Sequence, residues 1–273
     1  MLRRTASRHR LVLAALALAA AALPVLAAAS PATAQPVVNY VALGDSYSSG
    51  VGAGSYYSSS GSCDRSASAY SVLWAAAHSP ASYVSVACAG ATTGSVISGQ
   101  LSALSTATTL VSITVGGNDV GFSSVMETCV LHSTATCVSA ISTSESEIAS
   151  TLPGALDSVL GAISARAPNA RVVVLGYPHL YDLSRSSVCL GLSTTDRTDL
   201  NTAADALDLA IQAAAQRHSD FFADVRSQFA GHQICDSGSW LHSVDLLNLG
   251  VSYHPTAAGQ SGGYYPVFSA NAG

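Results

Sequence analysis

The sequence predicts an α/β fold in which five mainly parallel strands form one sheet covered by helices. Three observations carry this. Short apolar runs at 37–43, 83–88, 110–115, 171–175 and 221–225 have the length of strands. Longer segments with helical spacing separate them, and that alternation implies a parallel sheet with both faces covered. Three of the first four runs end in loops that contain Ser46, Gly90 and Asn118. Polar groups are thereby delivered to one sheet edge, where open α/β sheets keep their working residues.

Taken in order, 37–43 is a buried strand that opens into Gly44-Asp45-Ser46. Residues 55–61 are rich in Ser, Tyr and Gly and read as a surface loop. Residues 67–78 fit a helix closed by Pro80, and 83–88 a strand followed by Gly90. The run 110–115 ends at Gly116-Gly117-Asn118-Asp119. Residues 144–166 read as helix with a break at Pro153, because proline cannot donate to the helical ladder. The strand at 171–175 ends at Gly176-Tyr177-Pro178, residues 195–217 are Ala- and Leu-rich with helical spacing, and 221–225 is the fifth strand. A last helix begins at Thr256, a suitable N-cap. There is no internal repeat and no linker to a second domain.

The N-terminus has the pattern of an export signal. Arg3, Arg4, Arg8 and Arg10 precede an apolar run at 11–29, and Ala32-Thr33-Ala34 supplies a small-x-small cleavage site. Residues 1–34 are therefore expected to be removed, in preference to acting as a membrane anchor, because Pro24 interrupts the run and the small-residue site follows it. Cleavage leaves residues 35–273 as a single domain of 239 residues, enough for a sizeable core. No later segment is long and apolar enough to span a bilayer, so a secreted, extracellular protein without stable membrane insertion is expected, acting as a monomer. The chain has no lysine, and loss of the four signal arginines takes the formal charge from −5 to −9. The remaining arginines are scattered, which argues against a nucleic-acid partner. Six cysteines in an exported chain favour disulfides, although spacing alone leaves fifteen pairings open. With no C-x-x-C pair and no H-E-x-x-H helix, neither a metal nor a cofactor is expected.

Serine is a weak nucleophile until a base lies in hydrogen-bond reach and donors face the developing oxyanion. Ser46 sits directly after a strand, where Gly44 allows a sharp turn. Alone, the segment fits a Ser-rich turn equally well. Asn118 follows two glycines, a bend that can aim an amide into a cleft or merely reverse the chain. Gly90 can offer a backbone N–H at the same edge. Pro255 biases His254 away from helix, so its imidazole is expected to project from a loop. The other histidines beyond the signal, His78, His132, His179, His218, His232 and His242, are read as structural or solvent-exposed.

In combination these blocks resemble the GDSL/SGNH hydrolases. Gly44-Asp45-Ser46 matches the first block, Gly90 the second, Asn118 within Gly117-x-Asp119 the third, and His254 the fifth. The match runs from Val41 to Gly259, and export with six cysteines looks most like the secreted bacterial GDSL lipases and esterases. The resemblance implies a three-layer α/β/α sandwich of flavodoxin-like arrangement and carboxylic ester hydrolysis, with fatty-acyl esters or phospholipids leading. It implies Ser46 as nucleophile, His254 as its base, and an oxyanion hole formed by the Ser46 and Gly90 N–H groups and the Asn118 amide. It also implies the disulfides Cys63–Cys88, Cys129–Cys137 and Cys189–Cys235.

The chain departs from the family at Val251, where an Asp usually stands three residues before the histidine. A backbone carbonyl of Val251 or Ser252 is expected to orient His254 instead, with Asp245 as the alternative acid. Asp45 is read as structural. A base of unperturbed histidine pKa would make activity rise through about pH 6–7. Gly259-Gln260-Ser261-Gly262-Gly263 spells G-x-S-x-G, but no strand precedes it and no acid or histidine follows, so Ser261 is not expected to be a nucleophile. Tyr47, Val120, Phe122, Trp240 and Leu241 are candidates to line an acyl pocket. Two other functions fit the fold. One is a carbohydrate acetyl-esterase with Tyr56, Tyr57, Tyr264 and Tyr265 as sugar platforms; the other is a non-catalytic secreted binding protein.

Overall fold

The computed structural model describes residues 37–185, 189 and 191–273. The expected signal segment, 1–34, lies outside the described residues. One parallel sheet is built from β1 (Asn39–Gly44), β2 (Ser82–Ser85), β3 (Leu110–Thr114), β4 (Arg171–Leu175) and β5 (Phe221–Ala223), in the spatial order β2-β1-β3-β4-β5. Every pairing is parallel. The chemistry of each strand matches its place. β3 is buried along its whole length, and β1 and β4 at all but their first residue, as expected for strands covered on both faces. β2 is partly exposed throughout and β5 is exposed at its start, as edge strands are.

The connections are α1 (Ser46–Ser49), α2 (Tyr70–His78), α3 (Thr93–Ser95), α4 (Phe122–Leu131), α5 (Thr134–Ser150), α6 (Leu152–Arg166), α7 (Thr194–Arg217), α8 (Arg226–Phe229) and α9 (Tyr265–Asn271). Tyr40 of β1 places its ring 5.3 Å from Trp74 of α2 and 5.3 Å from Phe268 of α9. These aromatics make one layer of the core. α5, α6 and α7 pack together on the opposite side, with Leu156, Leu160, Ile163 and Ile211 buried. Among the described residues no single helix is long and apolar enough to cross a membrane.

The order places a reversal between β1 and β3. From β1 the chain moves outward to β2, then returns past β1 to β3 and continues the other way. A crevice opens at the carboxyl end of such a switch point. Ser46 follows β1 and Asn118 follows β3, so the topology brings both to that crevice.

The helical region before Pro153 is longer than its apolar pattern predicts. α4 and the whole first half of α5 precede residue 144, and α5 and α6 meet at a bend of 51°. α5 buries Cys137, Ile141, Ser144 and Ile148, which are helically spaced but include a serine among many exposed Ser and Thr residues. Its apolar stripe is therefore faint in sequence. The second strand ends at Ser85 and not at 88, yet its extension stays paired: Val86 N–H donates to Ala42 and Cys88 N–H to Gly44. Thr256 Oγ1 accepts from Gly259 N–H at 3.2 Å at the start of the last helical segment. That segment passes through a wider turn, Gly259–Tyr264, before α9.

Candidate active site

The turn after β1 is held from several directions. Gly44 has φ +117°, and a Cβ there would come within 2.4 Å of the Thr114 carbonyl, so only glycine fits against β3. Gln100 grips the same residue, accepting from Gly44 N–H at 2.8 Å and donating to its carbonyl at 2.8 Å. Asp45 caps α1 by accepting from Tyr47 N–H at 3.0 Å, and its carboxyl also accepts from Thr114 Oγ1 at 2.6 Å and from the Tyr177 hydroxyl. Only 1% of Asp45 is exposed. Burial pushes its carboxyl up to about 6, against hydrogen bonds from Thr114 and Tyr177 that favour the ionised form. Its three acceptor contacts fix the turn that presents Ser46; none is to the histidine.

Ser46 Oγ lies 2.7 Å from His254 Nε2. Nδ1 of the same ring lies 2.9 Å from the Ser252 carbonyl. Because a carbonyl only accepts, Nδ1 carries the hydrogen and Nε2 presents its lone pair to the serine hydroxyl. The Val251 carbonyl is occupied by the His254 backbone N–H at 3.1 Å. The Asp245 carboxylate accepts from Leu247 N–H at 2.9 Å and Asn248 N–H at 3.1 Å, closing a turn of its own. Burial pulls the His254 imidazole down to about 4; the Ser252 carbonyl opposes this by favouring the charged ring, and nearby His242 adds to it.

His254 sits at the base of a folded arm. Leu241 and Pro255 form an antiparallel bridge, His242 N–H donates to the His254 carbonyl at 3.0 Å, and Tyr253 N–H returns to the His242 carbonyl at 3.0 Å. His242 Nε2 lies 2.8 Å from the Gly52 carbonyl, and Tyr47 donates its hydroxyl to the Tyr253 carbonyl at 2.7 Å. Tyr253 occupies left-handed backbone, with φ +64°, a conformation a non-glycine residue keeps only when its surroundings enforce it.

Two further loops reach the same edge. Asp119 accepts from Thr93 Oγ1 at 2.6 Å and from Thr93 N–H at 3.0 Å, tying the loop after β3 to the loop after β2. Asn118 Nδ2 donates to the Ala91 carbonyl at 3.0 Å, beside Gly90. An amide carries two N–H donors, so the second remains for a ligand. Gly90 is exposed, has φ +76°, and lies on a neighbouring depression with Ala91. Ser46 and Asn118 line a crevice together with Asp45, Tyr47, Tyr177 and Ser144, and its remaining walls are mostly apolar side chains such as Val125, Ile141, Ile148, Leu200 and Leu207 of α4, α5 and α7.

Of the expected pocket residues, Tyr47, Val120 and Phe122 line this cavity; Trp240 and Leu241 are not among its walls. Trp240 stacks on His232 with ring centroids 3.7 Å apart. The glycines of the G-x-S-x-G run have packing reasons: a Cβ at Gly262 would come within 2.6 Å of Trp240, and one at Gly263 within 2.3 Å of Phe229. Ser261 is exposed, and its hydroxyl donates to the Ala258 carbonyl at 3.4 Å. Cysteines pair as Cys63–Cys88, Cys129–Cys137 and Cys189–Cys235. Gln100, Thr114, Tyr177 and His242 were not legible as site residues. Gln100 and His242 meet backbone groups and Thr114 and Tyr177 the Asp45 carboxylate, all far away in sequence, and no local motif marks that.

The model of the GDSL-like lipase/acylhydrolase family matches residues 42–261. The chain is 56% identical over 266 residues to Lipase 1 of Streptomyces coelicolor, covering 96% of this chain and 98% of the relative. Among solved structures it is similar to phospholipase A1 from Streptomyces albidoflavus NA297, with a TM-score of 0.85 and 53% identity, covering 87% of this chain and 100% of that one. The extracellular lipase from Streptomyces rimosus is similar to the same degree, with a TM-score of 0.84 and 50% identity over 86% of this chain and 100% of that one.

Proposed function

The chain belongs to the GDSL-like lipase/acylhydrolase family and is an ester hydrolase, and from that premise we propose that it is exported and cleaves fatty-acyl esters through an acyl-enzyme on Ser46. The observation that carries the reading is the 2.7 Å contact between Ser46 Oγ and His254 Nε2 at the mouth of an apolar cavity. Ser46 Oγ attacks the ester carbonyl carbon while Nε2 takes its proton. The carbonyl oxygen becomes an oxyanion that the Ser46 and Gly90 N–H groups and the free N–H of Asn118 stabilise. As the tetrahedral intermediate collapses, the imidazolium returns its proton to the departing alcohol and the acyl group stays on Ser46. Water then attacks the acyl-enzyme, with His254 again as base, and the carboxylic acid leaves.

No carboxylate is needed to set the tautomer, because the Ser252 carbonyl already holds Nδ1–H. It supplies a dipole in place of a full charge, so a Ser46–His254 dyad is the working unit. The apolar side chains of α4, α5 and α7 beside Ser46 suit a fatty-acyl chain better than an acetyl group, which would reach few of them. This weighs against the glycan acetyl-esterase, as does the complete burial of Tyr264, one of its expected platforms. Export is supported by the signal pattern in residues 1–34 and the three disulfides. The test is covalent labelling with a long-chain alkyl phosphonate. Wild type is expected to take up one equivalent, Ser46→Ala none, and His254→Ala far less; absence of labelling in the folded wild type would overturn the reading.

A further inference from the structure

The arm that carries His254 ends in an apolar tip unlike the rest of its surroundings. Leu247 is 100% exposed, Leu246 77% and Leu249 67%. The tip is built and not loose. The Asp245 carboxylate accepts two backbone N–H groups inside it, Val251 N–H donates to Asn248 at 3.1 Å, and Leu249–Val251 forms a short 3-10 turn. Ser252 joins tip to base. Its N–H donates to the Leu249 carbonyl at 3.1 Å, its Oγ accepts from Asp245 N–H at 2.9 Å, and its carbonyl meets His254 Nδ1. Three leucines are thus projected into solvent by the same segment that positions the base, and holding them there has no folding benefit.

We infer that residues 246–249 form a docking tip that enters a neutral or zwitterionic lipid surface and sets the catalytic crevice against it. The inference rests on the ester-hydrolase reading for its purpose, but on the tip itself for its chemistry. A convex, fully exposed leucine fits a deformable apolar medium better than a rigid protein pocket. Charge narrows the surface further. Between Ser237 and His254 the formal charge is Asp245 alone, turned into its own loop, and the chain has no lysine. Anionic membranes are gripped through clustered basic residues, and this tip offers none.

The test compares wild type with Leu246→Ser/Leu247→Ser/Leu249→Ser. Initial rates are measured on a short-chain p-nitrophenyl ester below its solubility limit and on an emulsified long-chain ester. Binding is measured by co-flotation with phosphatidylcholine vesicles, in a Ser46→Ala background so that the lipid stays intact. The triple variant is expected to keep soluble-ester turnover within about twofold and to lose tenfold or more in emulsion rate and vesicle binding. A Leu247→Trp variant is expected to show blue-shifted emission on phosphatidylcholine vesicles, with no gain from added phosphatidylglycerol. Equal vesicle binding by wild type and triple variant, an unshifted tryptophan, a requirement for anionic lipid, or a dimer in sedimentation that the triple variant abolishes would each overturn the proposal. Vesicle binding that depends on the leucines, in a wild type that turns over neither ester, would support the docking tip and sink the hydrolytic reading alone.

Discussion

At the residue scale the proposed base and the proposed oxyanion donor make separable predictions. In its proposed role as base His254 must be neutral to accept the serine proton, and burial pulls it down to about 4. kcat/KM on an uncharged soluble ester should therefore stay level from neutrality to roughly pH 5 and fall only below that. An acid limb centred at the ordinary histidine value of 6.5 would contradict the desolvation argument. The same depression has a folding consequence of defined sign. The unfolded chain takes up the proton first, so this contribution to stability is complete above 6.5 and is lost as pH falls towards 4. Asn118→Ala should lower kcat about 10²–10³-fold, the usual effect of removing one oxyanion donor. Because Asn118 also bridges to Ala91, the melting temperature of the variant must be followed beside its kinetics; a kcat within threefold of wild type would remove Asn118 from the oxyanion hole.

At the scale of elements, the close approach of β1 to β3 determines where Ser46 can be. Gly44→Ala would drive a methyl group to 2.4 Å from the Thr114 carbonyl at a backbone angle of +117°. It should destabilise the fold by at least about 1–3 kcal/mol in urea unfolding, and lower activity in the fraction that still folds. Gly99→Ala is the matched control. A Cβ there meets nothing within 4 Å and needs no unusual φ, so the change should be neutral or stabilising by about 0.5–1 kcal/mol. Equal loss in both variants would show that glycine flexibility, and not the contact with β3, governs the turn. Asp119 works at this scale too, since its bonds to Thr93 bind the Gly90 loop and the Asn118 loop into one edge.

Across the whole molecule, the disulfides stand where the crevice loops need support. Cys63–Cys88 closes 25 residues and ends two positions before Gly90. Cys129–Cys137 joins α4 to α5, which wall the cavity. Replacing Cys63 and Cys88 together by serine should reduce stability by about 3 kcal/mol through greater freedom of the unfolded chain. Phosphonate labelling at low temperature should persist, because the bridge restrains a loop and takes no part in bond making. Urea midpoints that do not move would show the loop to be held by its hydrogen bonds alone.

The order of the strands and the approach of Ser46, Asn118 and His254 to one edge of the sheet were readable from the chain, because each depends on local patterning or on short segments beside strand ends. α4 and the first half of α5 were not, since a helix with few apolar residues becomes stable only when Ile141 and Ile148 find a core to enter. Tertiary structure alone decided which carbonyl meets Nδ1, that Asp45 faces Thr114 and Tyr177, and that Trp240 packs away from the cavity. Thr114 and Tyr177 lie 69 and 132 positions from Asp45, and the turn that brings the Ser252 carbonyl to its near neighbour His254 is held by Tyr47, 206 positions from Tyr253. A linear pattern sets what each segment prefers; only the folded chain sets which distant partner it meets.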